Sequence, residues 1–140
     1  MSHYRLLNNY YLEQISHLLS IYCREENNMK SSQIGFNPDY AEEAPTLEQV
    51  RGLAGDAILE FGTPWCGHCQ VAKLAVQEGL LDHLDLPHIK VYDGKGKMLG
   101  RAFRVKLWPT LILLHDGQEA ARLVRPLAAD EVRQLLAQSK

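Results

Sequence analysis

The chain has 140 residues, a one-domain length that can bury a single core without disulfide staples. Apolar residues make up 46% and charged residues 23%, an ordinary globular balance, and a net charge of -2 excludes the basic footprint of a nucleic-acid binder. Three cysteines are too few for a disulfide framework, and two of them at Cys-x-x-Cys spacing point to catalysis or metal binding.

At the start of the chain, Asn8, Asn9, Glu13, Gln14, Ser16 and His17 interrupt the apolar residues, so no secretory signal is read there. No stretch approaches the roughly 20 apolar residues of a membrane span. The expected home is the cytoplasm, where thiols stay reduced. Tyr4, Leu7, Tyr11, Ile15, Leu18 and Tyr22 recur at helical steps and predict an amphipathic helical extension over residues 1–28. Such a stripe needs a cover, either the chain's own domain or a second copy that makes a dimer. A membrane surface is disfavoured, because Arg5 and Arg24 are offset by Glu13 and Glu25. Translation from Met29 would leave the domain with a short tail. Glu25 to Ala44 is a polar stretch with Asn27-Asn28, Ser31-Ser32 and Asn37-Pro38, so residues 29–45 read as a linker.

The domain is expected over residues 46–140. Thr46, with Gln49 three residues later, predicts a capped short helix to about Leu53. Ala57 to Phe61 is a buried strand, and Cys66 to about Leu84 a helix with Val71, Leu74, Ala75, Leu80 and Leu81 on its apolar side. His88 to Tyr92 is the next strand, followed by a short helix from Met98 to Val105. Leu111 to Leu114 and Ala120 to Val124 flank the hairpin signal Asp116-Gly117, and a helix over Ala129 to Gln138 ends the chain. Helices between strands imply parallel pairing and the last hairpin an antiparallel edge, hence a mixed α/β sheet with helices on both faces.

Cys66 follows a strand and opens a helix, where free N–H groups and the macrodipole favour a thiolate. Cys69, one turn on, is the more buried and resolving thiol. Cys66 would attack a substrate disulfide, and Cys69 would then attack Cys66 in the mixed disulfide to release reduced product. His68, an imidazole between the two, favours the Cys66 thiolate and makes the pair more oxidising than proline would. Zinc is the competing reading, but the chain has no second Cys-x-x-Cys and Cys23 lies in another segment.

From about Thr46 onward the chain resembles the thioredoxin family. The resemblance rests on Leu59-Glu60-Phe61, Thr63-Pro64-Trp65-Cys66-Gly67-His68-Cys69, Lys90-Val91-Tyr92-Asp93, Trp108-Pro109-Thr110-Leu111 and Asp116-Gly117, in family order. The Cys-Gly-His-Cys tetrad is similar to that of protein disulfide isomerase domains. The resemblance implies a thioredoxin fold with a mixed sheet of four or five strands, since Asn37 to Ala44 offers no clear first strand. It implies that Glu60 is a buried acid serving the resolving thiol, its pKa raised by burial, with Lys90 as its partner. It implies a cis-proline at Pro109, and a substrate face of Trp65, Gly67, Trp108, Pro109 and Arg125. No cofactor or metal is implied. The partners would be protein disulfides and an electron donor such as a thioredoxin reductase or glutathione.

Two positions depart from the family. Trp108 is bulkier than usual before the proline and would add an aromatic contact or narrow the groove. Arg125 stands where a glycine is general and would bring positive charge toward Cys66. The alternative function is a thioredoxin-fold binding module in which redox chemistry is secondary.

Overall fold

The computed structural model describes residues 29–139. The amphipathic stripe over residues 1–28, Cys23 included, lies outside the described residues.

The described elements are β1 (Ser32–Ile34), α1 (Leu47–Arg51), β2 (Asp56–Gly62), α2 (Gly67–Gly79), β3 (Pro87–Tyr92), α3 (Met98–Ala102), β4 (Thr110–His115), β5 (Gln118–Val124) and α4 (Ala129–Leu136). They build one five-stranded sheet in the order β1-β3-β2-β4-β5. β2 and β3 run parallel because α2 carries the chain back between them, and the other neighbours are antiparallel. The β4–β5 turn has Asp116 at φ 48° and Gly117 at φ 79°, the two left-handed residues that a tight hairpin requires.

Strand alternation sorts side chains into two cores. Leu59 and Phe61 of β2 pack with Val50, Val91, Leu99 and Ile112 under α1 and α3. Ile58 packs with Val76, Leu80, Leu113, Val132 and Leu135 under α2 and α4. By the same alternation, Glu60 and Gly62 point to the α2 side. The parallel register sets Glu60 beside Lys90, and Ile58 beside His88.

Helix α2 differs from its expected face. Ala75 and Leu80 are buried as expected, with Ala72, Val76 and Gly79, whereas Val71, Leu74 and Leu81 are exposed. Small residues let α2 approach α4: a Cβ at Gly79 would lie 2.6 Å from Val132 Cβ. Close packing has selected the face, and Val71 and Leu74 lie outside it.

Residues 29–45 are not a linker. Met29 is buried in the core, and Ser32–Ile34 pairs antiparallel with β3 as the fifth strand. Ala41 pairs in parallel with Val91 farther along, so the segment covers much of the outer edge of β3. Asn37 fastens its middle. Its backbone N–H donates to His88 Nδ1 at 2.9 Å, and its amide donates to Ser31 O at 2.8 Å and His88 O at 3.1 Å. Short pairing of this kind satisfies an edge that would otherwise expose unpaired backbone groups.

Removing that amide takes one donor from each of two buried carbonyls, Ser31 O keeping the Lys90 N–H. Asn37→Ala should therefore destabilise the fold by about 2–3 kcal/mol in urea unfolding. A change below about 0.5 kcal/mol would show that the segment is held by its backbone pairing alone.

Candidate active site

Cys66 is the N-cap of α2: its Sγ accepts the Cys69 N–H at 3.3 Å, and its carbonyl accepts the Gln70 N–H at 3.1 Å. The strand–turn–helix path through Thr63-Pro64-Trp65 therefore delivers one sulfur to free helix-start donors, a setting suited to an anion. Both cysteines are free thiols. Cys66 is 9% exposed and Cys69 5%, so Cys66 is less open than its helix-start position suggests. Trp108 lies against it, with the Trp108 carbonyl 4.0 Å from Cys66 Sγ.

The rim is aromatic. Trp65, 64% exposed, meets Trp108 edge-on with ring centroids 5.8 Å apart. Trp65 Nε1 donates to Tyr92 Oη at 2.8 Å, and Trp108 Nε1 donates to the buried Asp93 carboxylate at 2.9 Å. The bulky residue before Pro109 is thus held through its ring nitrogen and the Trp65 ring, and the Trp108–Pro109 peptide is cis. Arg125 has φ 52°, a left-handed conformation that suits glycine and explains why this position favours one. Its Nε donates to the Trp108 carbonyl at 2.9 Å. The side chain reaches back to the carbonyl beside Cys66. Gly67 and His68 are exposed at the start of α2, and a Cβ at Gly67 would meet nothing within 4 Å.

Beneath the sulfurs lies a buried polar network. Glu60 is 3% exposed and Lys90 3%. Glu60 Oε1 accepts from His88 Nε2 at 2.9 Å, and Oε2 accepts the Tyr40 hydroxyl and lies 4.0 Å from Lys90 Nζ. Because the Asn37 N–H donates to His88 Nδ1, the proton of the neutral ring sits on Nε2 and points at Glu60. Lys90 Nζ donates to Pro38 O at 3.0 Å and lies 4.1 Å from the Tyr40 ring centroid, a cation–π contact.

These contacts correct the expected direction at Glu60. Burial pushes its carboxyl up, but the hydrogen bond from His88, the charge of Lys90 and the Tyr40 hydroxyl outweigh burial and hold it below the usual carboxylate range. The acid is an anion at neutral pH, clamped by donors. Burial pushes Lys90 down, and Glu60 pulls it partly back. Burial, with the Cys66 sulfur beside it, pushes the Cys69 thiol up to about 12 despite the Thr63 N–H and the Tyr40 hydroxyl.

The structure thus brings together Cys66, Cys69, Glu60, Lys90, Trp108, Pro109 and Arg125. Tyr40, His88 and Asn37 were missed by sequence reasoning. His88 carried a signal: two residues before Lys90 on a strand, it shares that residue's face and can reach the same acid.

The thioredoxin family model matches residues 42–138. The chain belongs to the thioredoxin family. Thioredoxin 2 from Pseudomonas aeruginosa PAO1, in its reduced form, superposes with a TM-score of 0.66 at 44% identity, over 74% of this chain and 96% of that one. A thioredoxin from Chlamydia pneumoniae is 32% identical over 51% of this chain and 70% of its own length. Protein disulfide-isomerase A3 from Gallus gallus is 33% identical over 58% of this chain and 17% of its own length. The protein is a thioredoxin-fold thiol–disulfide oxidoreductase.

The two thiols should differ in reactivity. At neutral pH, iodoacetamide should label Cys66 well before Cys69, read by peptide mass spectrometry, and equal labelling would contradict the burial of Cys69. Unfolded Cys69 ionises near 9.0 and folded Cys69 near about 12, so the folded state holds the proton longer. Its contribution is intact below the lower value and is lost as pH rises through the interval; Cys69→Ser should lack this alkaline loss of stability.

Proposed function

We propose that the chain exchanges its Cys66–Cys69 dithiol with disulfides in partner proteins through a mixed disulfide on Cys66. The observation that carries this reading is the pair's asymmetry. Cys66 lies at the helix start with the Cys69 N–H on its sulfur, whereas Cys69 is the deeper thiol, held protonated over a buried carboxylate. An attacking sulfur at a helix start and a more reluctant one a turn further in are what a two-step exchange uses.

In the first step, the Cys66 thiolate attacks one sulfur of the substrate disulfide. The other substrate sulfur leaves as a thiolate, and Cys66 is joined to the substrate. In the second step, Cys69 loses its proton and attacks Cys66 Sγ. The Cys66–substrate bond breaks, the second substrate sulfur leaves reduced, and the dithiol has become a disulfide. Trp65, Gly67, Trp108 and Pro109 form the face that receives the substrate chain, with Arg125 occupying one lone pair of the Trp108 carbonyl. His68, exposed beside Cys66, favours the dithiol form. The reading as a cytoplasmic reductase, recharged by a thioredoxin reductase or glutathione, rests on the thioredoxins it resembles.

Two variants test the proposal. Cys69→Ser should accumulate protein partners as mixed disulfides on non-reducing gels, and Cys66→Ser should accumulate none; equal capture by both would reverse the assigned roles. His68→Pro should lower the reduction potential measured against glutathione buffers. A potential equal to or above that of the parent would remove His68 from setting it.

A further inference from the structure

We propose that the Tyr40 hydroxyl is the proton relay between Cys69 and Glu60, so that a segment preceding the matched family region completes the exchange machinery. The inference rests on the dithiol-exchange reading above and names the group that moves its second-step proton.

Geometry places the phenol between the two groups. Tyr40 Oη and Cys69 Sγ both crowd the α2-side space beside Gly62: a Cβ there would lie 2.6 Å from one and 2.7 Å from the other. Glycine at 62 is what lets the hydroxyl and the thiol meet. The Tyr40 hydroxyl donates to Glu60 Oε2, and its oxygen shares the space beside Gly62 with the Cys69 sulfur. A hydroxyl carries one proton, and here that proton points at the carboxylate. Its oxygen is then free to accept the Cys69 S–H. The result is a chain with a single direction, from Cys69 sulfur to Tyr40 oxygen to Glu60 oxygen. No direct hydrogen bond between Cys69 and Glu60 is present among the described residues.

Tyr40 is held there independently of the cysteines. Ala41, its chain neighbour, pairs with Val91 of β3, and the Lys90 ammonium sits 4.1 Å from the ring centroid. As Cys69 attacks Cys66 Sγ, its proton passes to Tyr40 while the Tyr40 proton passes to Glu60. The phenol ends neutral, the new Cys66–Cys69 bond replaces the Cys66–substrate bond, and the substrate sulfur leaves with the electron pair. Because His88 and Lys90 hold Glu60 below the usual carboxylate range, the proton does not rest there and continues to solvent or to the departing thiolate. A cavity of about 120 Å³ lined by Tyr40, Thr63, Cys69, Lys73 and Lys90 opens beside the chain and gives hydroxide a way in. The charged or titratable groups that face this path are Glu60, His88, Lys90, Cys66, Cys69, Lys73 and Asp39.

Ellman's reagent separates the two steps in one trace, since Cys66 attack releases the first thionitrobenzoate and Cys69 resolution releases the second. In Tyr40→Phe, which keeps the ring on Lys90, the first release should keep its rate. The second should slow by at least about tenfold at neutral pH and recover as pH rises and hydroxide replaces the relay. It should also lose the solvent deuterium isotope effect of the parent chain. An unchanged second release, or a slowing that is equal at every pH, would overturn the relay. Absence of the first release in the parent chain would instead overturn the exchange reading itself. If Tyr40→Phe does not fold, difluorotyrosine at position 40 keeps the hydroxyl with a more acidic phenol. It should move the pH profile of the second release, and an unmoved profile would overturn the proposal.

Discussion

Glu60 is a carboxylate built into the middle of the sheet, and the arrangement of the surrounding chain follows from what it takes to keep an anion there. Burying a lone ionised carboxylate costs many kcal/mol, and proteins tolerate one only where donors replace water. His88, Tyr40 and Lys90 supply them from two different segments. Each donor is itself constrained: His88 by the Asn37 N–H, Lys90 by the Pro38 carbonyl, and Tyr40 by the pairing of Ala41. Loss of one donor would leave charge unmet in the interior, so fold stability and redox chemistry depend on the same bonds.

This dependence explains why the first seventeen described residues are ordered against β3. They carry few large apolar side chains, and hydrophobic burial alone would not hold them. Asn37 and Tyr40 provide specific polar contacts to β2 and β3, and Met29 adds an apolar anchor at the start. On this proposal partner binding and proton handling would fall to different parts of the site. In the proposed exchange the Trp65–Trp108 rim and the Trp108 carbonyl would receive the substrate, while Tyr40 and Glu60 lie on the Cys69 side.

What could be read without coordinates was what local pattern encodes. The Thr46–Gln49 capping box, the Asp116-Gly117 turn and the apolar run around Glu60 are all near-neighbour signals, and the structure contains each of them. The first strand is three residues long, too short for alternation to register, and lies in a stretch rich in Asn, Ser and Pro that imitates a loop. The Asn37–His88 bond joins residues 51 positions apart, which no local pattern contains. The direction of the Glu60 pKa was misjudged for the same reason. Burial is visible from apolar neighbours in sequence, whereas the donors that outweigh it arrive from β3 and from residues 37–40.

Carbon-13 NMR of the Glu60 side-chain carboxyl in the reduced chain, assigned by loss of its signal in Glu60→Gln, tests the clamped anion most directly. An ionised resonance throughout the neutral range, with titration confined to acid pH, is the predicted result. A resonance that titrates near neutrality would show a protonated, desolvated acid and contradict the account.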